Sequence, residues 1–96
     1  MKLGLISTFY KKSKPFHKEC LESIANQSDN DFTAILFGDN FEIDLSKYNF
    51  KCHVEYEYLT KLSPRQIKTK GIKKALSLDC DFICFIDSDD FMKKNR

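Results

Sequence analysis

The chain has 96 residues, of which 42% are hydrophobic and 31% are charged, and its formal net charge is +2. This length predicts a single domain, residues 1–96, and the hydrophobic content excludes a disordered chain. A net charge so close to zero gives no indication of nucleic-acid binding, and no apolar stretch approaches the ~20 residues of a membrane span. Without a signal-peptide pattern, we expect a cytoplasmic protein with reduced cysteines; attachment at the inner face of a membrane stays open.

Strand and helix patterns alternate along the chain. Apolar runs predict strand one over residues 2–9, strand two over 32–37 and strand four over 82–86, and period-two alternation predicts strand three over 51–58. Helical spacing predicts one helix from Pro15 to Ala25 and another that begins after Ser63, with Gln66 completing a capping box. Residues 41–48 fit either a short helix or an irregular connection.

This alternation is typical of an α/β fold with a parallel sheet and right-handed crossovers. We predict the strand order 3-2-1-4. Strand four has no charged residue, so we expect it to be buried on both faces. The carboxyl ends of strands one and four then border a crevice, with Thr8 and Tyr10 on one side, Asp87 and Asp89 on the other, and Asp39 nearby.

Three carboxylates, Asp87, Asp89 and Asp90, follow strand four directly. Clustered carboxylates repel one another, and a divalent cation relieves the repulsion; an all-oxygen site suits Mg²⁺ or Mn²⁺. The pattern favours a metal-diphosphate site at the rim of the sheet. A solvated acidic turn that caps a following helix is the alternative, and the spacing does not fit a calcium-binding EF-hand.

Five segments become informative when they are taken in order: residues 6–10, 21–28, 31–39, 70–75 and 82–90, the last of which contains Asp87-Ser88-Asp89. Together they resemble the amino-terminal half of the family 2 glycosyltransferases of GT-A fold, whose DxD signature matches the acidic cluster. The resemblance covers nearly the whole chain. It implies a Rossmann-like three-layer sandwich, truncated after the DxD strand, that binds a nucleotide diphosphate sugar of UDP or GDP type for glycosyl transfer.

The resemblance also implies roles for individual residues. Thr8 and Tyr10 would lie beside the nucleotide, and Asp39 would accept hydrogen bonds from the base. Asp87 would approach the ribose or sugar and contribute to the metal site, and Asp89 would ligate Mn²⁺ or Mg²⁺. Lys68 would bring positive charge near the diphosphate.

Two positions depart from the resembled pattern. Gly38 stands where the family often has a second acid, and Lys68-Thr69 stands where it often has Arg-Asn. No residue of the chain matches the catalytic base, and the acceptor, a glycan or a lipid-linked glycan, is not identified by the sequence. We therefore expect these 96 residues to be inactive as a transferase on their own.

Other interpretations remain at this point. The chain could be a non-catalytic nucleotide or nucleotide-sugar binding module, or a receiver-like signalling domain, although Ser7-Thr8 replaces the acid pair that a receiver needs. Asp39 could be a turn residue that caps the next element. The lysines around Lys68 could simply cover the solvent-exposed face of their helix, and the second alternative for them is a nucleic-acid-binding patch. The uncharged edge of strand four predicts a homodimer through that strand.

Overall fold

The computed structural model describes residues 2–11, 14–27 and 31–86. The strands are β1 (Leu3–Tyr10), β2 (Phe32–Asp39), β3 (His53–Leu59) and β4 (Phe82–Phe85). The helices are α1 (Lys14–Ala25) and α2 (Pro64–Ser77). The segment with no clear pattern contains a short 3₁₀ helix, Leu45–Lys47, whose first turn is capped by Asp44, since the Asp44 side chain accepts a hydrogen bond from the Ser46 N–H.

The four strands form one parallel sheet in the order β3-β2-β1-β4, which confirms the predicted order. The register pairs Leu3 of β1 with Phe32 of β2 and with Phe82 of β4. Because paired residues of parallel strands point to the same face, the register fixes which side chains share a face. All four strands end at one rim of the sheet, as the candidate site requires.

Two apolar clusters cover the two faces of the sheet. The cluster on the α1 face is centred on Leu5, Phe9 and Leu36, and apolar side chains of the loop that follows β2 also pack in it. The cluster on the α2 face is centred on Ile6, Ile35 and Phe37. The sheet therefore lies between two helical layers, and β1 and β2 carry the core.

Helix α2 is fixed at its start and at its middle. The Ser63 hydroxyl accepts from the Gln66 N–H at 3.2 Å, and the Gln66 side chain accepts from the Ser63 N–H at 2.8 Å, so the predicted capping box is present. In mid-helix, a methyl group on Gly71 would come within 2.9 Å of Ile6 Cγ2. Close contact between helix and sheet is therefore the reason for a glycine at this position.

The expectation that β4 is buried on both faces is wrong for its described residues. Phe82 is 54% exposed and Phe85 is 45% exposed. Within the described residues β4 pairs only with β1, so an apolar run has produced an edge strand whose aromatic rings are only partly covered.

Among the described residues, no helix is long and apolar enough to cross a membrane. The four cysteines are free in this structure; Cys20 is buried and the other three are partly buried.

Candidate nucleotide-binding site

A cavity of about 380 Å³ opens at the carboxyl ends of the strands, on the α2 face of the sheet. We call it the rim cavity. Three strands and the start of α2 contribute its walls, which consist of Ile6, Thr8, Tyr10, Asp39, Pro64, Ile67, Lys68, Phe85 and Ile86. Its walls are part apolar and part polar, as in a site that encloses a small molecule and orients it.

The rim cavity brings together Thr8, Tyr10, Asp39 and Lys68, the four predicted nucleotide-binding residues within the described ranges. Tyr10 and Asp39 are register partners in β1 and β2, and Thr8 lies on the same face two residues earlier. Lys68 reaches the cavity because the capping box starts α2 beside the rim. The topology therefore places these four side chains on one surface, although they are distant in sequence.

Lys68 and Asp39 provide charges of opposite sign within the rim cavity. The Lys68 ammonium lies over the Phe85 ring, 5.6 Å from its centroid. An aromatic face attracts a cation, so this contact holds the ammonium at the cavity wall. The cavity thus has a hydrogen-bond acceptor on β2, the Asp39 carboxylate, which can bind N–H donors of a ligand. It also has a cation on α2, the Lys68 ammonium, which can bind an anionic group.

The predicted metal ligands Asp87 and Asp89 lie outside the described residues. The strand that leads to them is described: the Ile86 N–H donates to the Ile6 carbonyl at 3.0 Å, and Phe85 and Ile86 line the rim cavity. Across residues 2–11, 14–27 and 31–86, no group of three or more His, Cys, Asp or Glu side chains could hold a metal ion.

The sequence patterns did not predict how the loop that follows β2 is held next to Asp39. Asn40 has a left-handed backbone, with φ of 53°, and its N–H donates to the Leu59 carbonyl at 2.8 Å. Further along, the Ile43 N–H donates to the Tyr56 hydroxyl at 3.2 Å, and that hydroxyl donates to Glu42 Oε1 at 3.0 Å. Burial raises the pKa of Tyr56. The loop is thereby tied to β3 immediately after Asp39.

His17 was assigned no role from the sequence, yet it lies behind the same rim. Its ring makes edge contacts with Phe9 and Phe41, with centroids 5.0 Å and 5.3 Å away. Burial lowers the pKa of His17, a hydrogen bond to the Tyr10 backbone raises it, and Lys14 lowers it, with a net decrease. His17 therefore connects α1, the end of β1 and the loop after β2.

A second, larger groove of about 570 Å³ lies between β3 and α2 and contains none of the predicted site residues. Its charged side chains are partly paired: Lys70 Nζ lies 3.4 Å from Glu57 Oε2, and Lys74 Nζ lies 3.3 Å from Glu55 Oε1. Size alone therefore does not identify the site. The lysines of α2 divide between this groove and, for Lys68, the rim cavity.

No protein-family model matches the chain, and no curated protein matches it significantly. Solved structures do match. S. aureus TarS superimposes with a TM-score of 0.79 at 26% sequence identity, over 99% of this chain and 18% of the TarS chain. TarS 1-349 in complex with UDP gives a TM-score of 0.80 at 25% identity, over 99% of this chain and 29% of that chain. The complex with UDP-GlcNAc gives 0.78 at 25% identity, over 98% and 28%.

The chain spans less than a third of the length of these solved structures. TarS is a family 2 glycosyltransferase of the GT-A type, and the match lies in its amino-terminal part. The resemblance inferred from the sequence segments is therefore confirmed by structure. The chain has the Rossmann-like fold of the amino-terminal part of a GT-A-type family 2 glycosyltransferase.

Proposed function

We propose that the chain is the donor-binding part of a glycosyltransferase, and that its rim cavity binds a nucleotide diphosphate sugar of the UDP type. One observation carries the proposal: Thr8, Tyr10, Asp39 and Lys68, selected from sequence, line one cavity at the carboxyl ends of the strands. The solved structures of TarS with UDP and with UDP-GlcNAc support UDP, and not GDP, as the nucleotide.

Each of the four residues has a task that suits its chemistry. The Asp39 carboxylate is acceptor-only when ionised, so it suits the N–H donor of a pyrimidine base. Thr8 and Tyr10 lie on the same face of β1 and form the wall beside the nucleotide. Lys68, held against the Phe85 ring, presents a compact positive charge to the diphosphate.

Asp89, with Asp87, is proposed to hold Mn²⁺ or Mg²⁺, because paired carboxylates are the oxygen donors that these ions prefer. A bound divalent ion would neutralise charge on the departing nucleoside diphosphate. Ile86, which follows β4, lines the cavity and is directly followed by Asp87 in the sequence. The two aspartates therefore fit a metal site both by their carboxylate oxygens and by their place in the sequence, directly after a residue of the cavity wall.

The proposal includes a cytoplasmic location, which suits four cysteines in the thiol form. Because the chain spans less than a third of the matched structures, binding is a better first measurement than sugar transfer. Substantial transfer by these 96 residues alone would contradict our expectation that they contain no catalytic base and lack most of the contacts to an acceptor.

Calorimetric titration with UDP and GDP, with and without Mn²⁺, tests the proposal. We expect UDP to bind more tightly than GDP and Mn²⁺ to strengthen the binding. Asp39→Asn should weaken UDP binding, whereas Asp79→Asn, a matched change at the opposite end of β4, should not. Asp89→Ala should remove the effect of Mn²⁺. If neither nucleotide binds, the proposed function is wrong; if the Mn²⁺ effect survives Asp89→Ala, only the ligand assignment is wrong.

A further inference from the structure

We infer that Tyr56 is a positioning residue for the nucleotide site: its hydroxyl holds the loop of residues 40–43 behind Asp39 and so fixes where the Asp39 carboxylate lies. This inference rests on the proposed function, in which the Asp39 carboxylate accepts a hydrogen bond from the nucleobase. Nothing in the sequence pattern of β3 suggested such a role, because Tyr56 only continued the alternation of the strand.

The Tyr56 hydroxyl makes two hydrogen bonds to this loop. It accepts from the Ile43 N–H at 3.2 Å and donates to Glu42 Oε1 at 3.0 Å. Ile43 itself is buried. A buried backbone N–H needs a partner, and here a side chain of the neighbouring strand supplies it. The loop therefore cannot leave β3 without losing this pairing.

The loop also runs directly over the residue that precedes Asp39. A Cβ on Gly38 would lie 2.6 Å from the Tyr56 hydroxyl oxygen and would collide with the carbonyl oxygen of Phe41. Residue 38 can therefore carry no side chain while the loop of residues 40–43 lies in this position. The space where a side chain would project is taken by the hydroxyl of Tyr56 and the backbone of Phe41.

Asp39 is consequently fixed on both sides. Before it, Gly38 is packed beneath the loop; after it, the Asn40 N–H donates to the Leu59 carbonyl at 2.8 Å, with a left-handed backbone at Asn40. A single residue held between two such anchors has little freedom to change its backbone conformation, so the direction in which its Cα–Cβ bond leaves the strand is fixed.

Tyr56 acts from the opposite face of the sheet. It pairs in register with Leu36 and packs with the cluster on the α1 face, whereas Asp39 lines the rim cavity on the α2 face. Tyr56 does not line the rim cavity, so it would not touch a nucleotide bound there. Any effect of Tyr56 on binding must pass through the loop and through Asp39.

The test compares Tyr56→Phe with Tyr58→Phe, the same substitution two residues along the same strand at a half-exposed position. The probe is UDP with Mn²⁺. Tyr56→Phe removes both hydrogen bonds of the hydroxyl and should weaken binding about three- to tenfold, which is the order of the net contribution of a single hydrogen bond, because only part of the loss is transmitted to the site; Tyr58→Phe should leave binding unchanged. Glu42→Gln keeps an acceptor for the hydroxyl and should bind nearly as the parent chain does.

A double-mutant cycle with Asp39→Asn separates positioning from a general structural effect. If Tyr56 acts through Asp39, Tyr56→Phe should cost less than about twofold further once Asp39 is already Asn. An equal loss in both backgrounds, or no loss in the parent background, overturns the inference.

Amide hydrogen exchange decides the case in which the parent chain binds no UDP and the proposed function itself fails. Tyr56→Phe should then still speed exchange at Ile43 and Asn40, and Tyr58→Phe should not. Unchanged exchange at both amides would overturn the positioning role independently of any ligand.

Discussion

The ammonium of Lys68 lies over the ring of Phe85, with the nitrogen 5.6 Å from the ring centroid. The contact joins the first turns of α2 to the last residue of β4, across the wall of the rim cavity. A cation over an aromatic face at an exposed site is stabilised by about 0.5–1 kcal/mol. That is enough to bias an otherwise flexible side chain toward the cavity.

Lys68→Ala should therefore weaken binding of UDP about tenfold, the loss expected when a charge-assisted hydrogen bond worth about 1.4 kcal/mol is removed. Lys73→Ala is the matched control, because Lys73 lies on the same helix and lines the groove between β3 and α2 instead. Calorimetry in low salt measures both. Equal losses would show that the overall positive charge of α2, and not the position of Lys68, attracts the ligand.

Gly71→Ala should destabilise the fold by about 1 kcal/mol, although alanine favours a helix by a similar amount. The new methyl group would lie 2.9 Å from Ile6 Cγ2 and 3.2 Å from Phe37 Cε2, and both neighbours are buried. Overpacking of this kind costs about 1–3 kcal/mol, which exceeds the gain in helix propensity. Urea unfolding gives the difference in free energy.

The Ile6→Ala background provides the control for this clash. Without the Ile6 side chain beyond Cβ, the two shortest contacts of the methyl group are removed and the 3.2 Å contact with Phe37 Cε2 remains, so the destabilisation by Gly71→Ala should become clearly smaller. A destabilisation of the same size in both backgrounds would mean that the glycine is needed for another reason.

The stability of the chain should fall as the pH is lowered below 6.5 because of His17. Burial is the main reason that its pKa in the folded chain is below the ordinary value of 6.5. The unfolded chain therefore takes up a proton at a pH where the folded chain does not, and acid favours unfolding. The stability that the chain gains from a neutral, buried His17 is fully present above pH 6.5, and it is lost as the pH falls from 6.5 toward the pKa of His17 in the folded chain.

Unfolding curves for His17→Gln and His53→Gln, recorded between pH 7.5 and about pH 5, separate this effect from other titrations. His53 is exposed on β3 and does not contact the ring of His17, so its variant should keep the part of the pH dependence that comes from His17. The His17 variant should lose it. Identical curves for the two variants would exclude His17 as the source.

Much of this architecture follows from local patterns. The strand order and the meeting of Thr8 with Asp39 were predictable, because alternating strands and helices permit few topologies and parallel strands share one rim. The capping box at Ser63 was predictable for a different reason: its hydrogen bonds span only three residues, so the local sequence determines them.

What the sequence did not predict depends on distant contacts. An apolar run predicts that β4 is a strand, but the exposure of Phe82 and Phe85 depends on which neighbours lie on each side. The hydrogen bonds from Tyr56 to the loop after β2 join residues 13 and 14 positions apart and have no periodic signature. The roles of Asp87 and Asp89 concern residues outside the described ranges and stay predictions.

The exposed edge of β4 leads us to propose a homodimer. Phe82 and Phe85 are about half exposed, and within the described ranges only β1 pairs with β4. Uncharged edges pair readily with other chains, whereas the opposite edge, β3, carries His53, Glu55 and Glu57. Sedimentation at micromolar concentration should show a dimer, and amide exchange in β4 should accelerate on dilution. A monomeric mass with concentration-independent exchange in β4 would contradict the proposal.

The hydrogen bond between the Lys2 backbone N–H and Asp81 Oδ2, 2.8 Å long, joins residues 79 positions apart. It marks an order of assembly: among the four described strands, β1 is made first and lies between β2 and β4 in the sheet, yet its neighbour β4 is made after the other three. A ribosome that adds about 5–20 residues per second needs roughly 4–16 s to cover that interval. For that time the strand that lies between β2 and β4 in the sheet is an open edge in the growing chain, and early folding must proceed without β4, through α1, β2, β3 and α2.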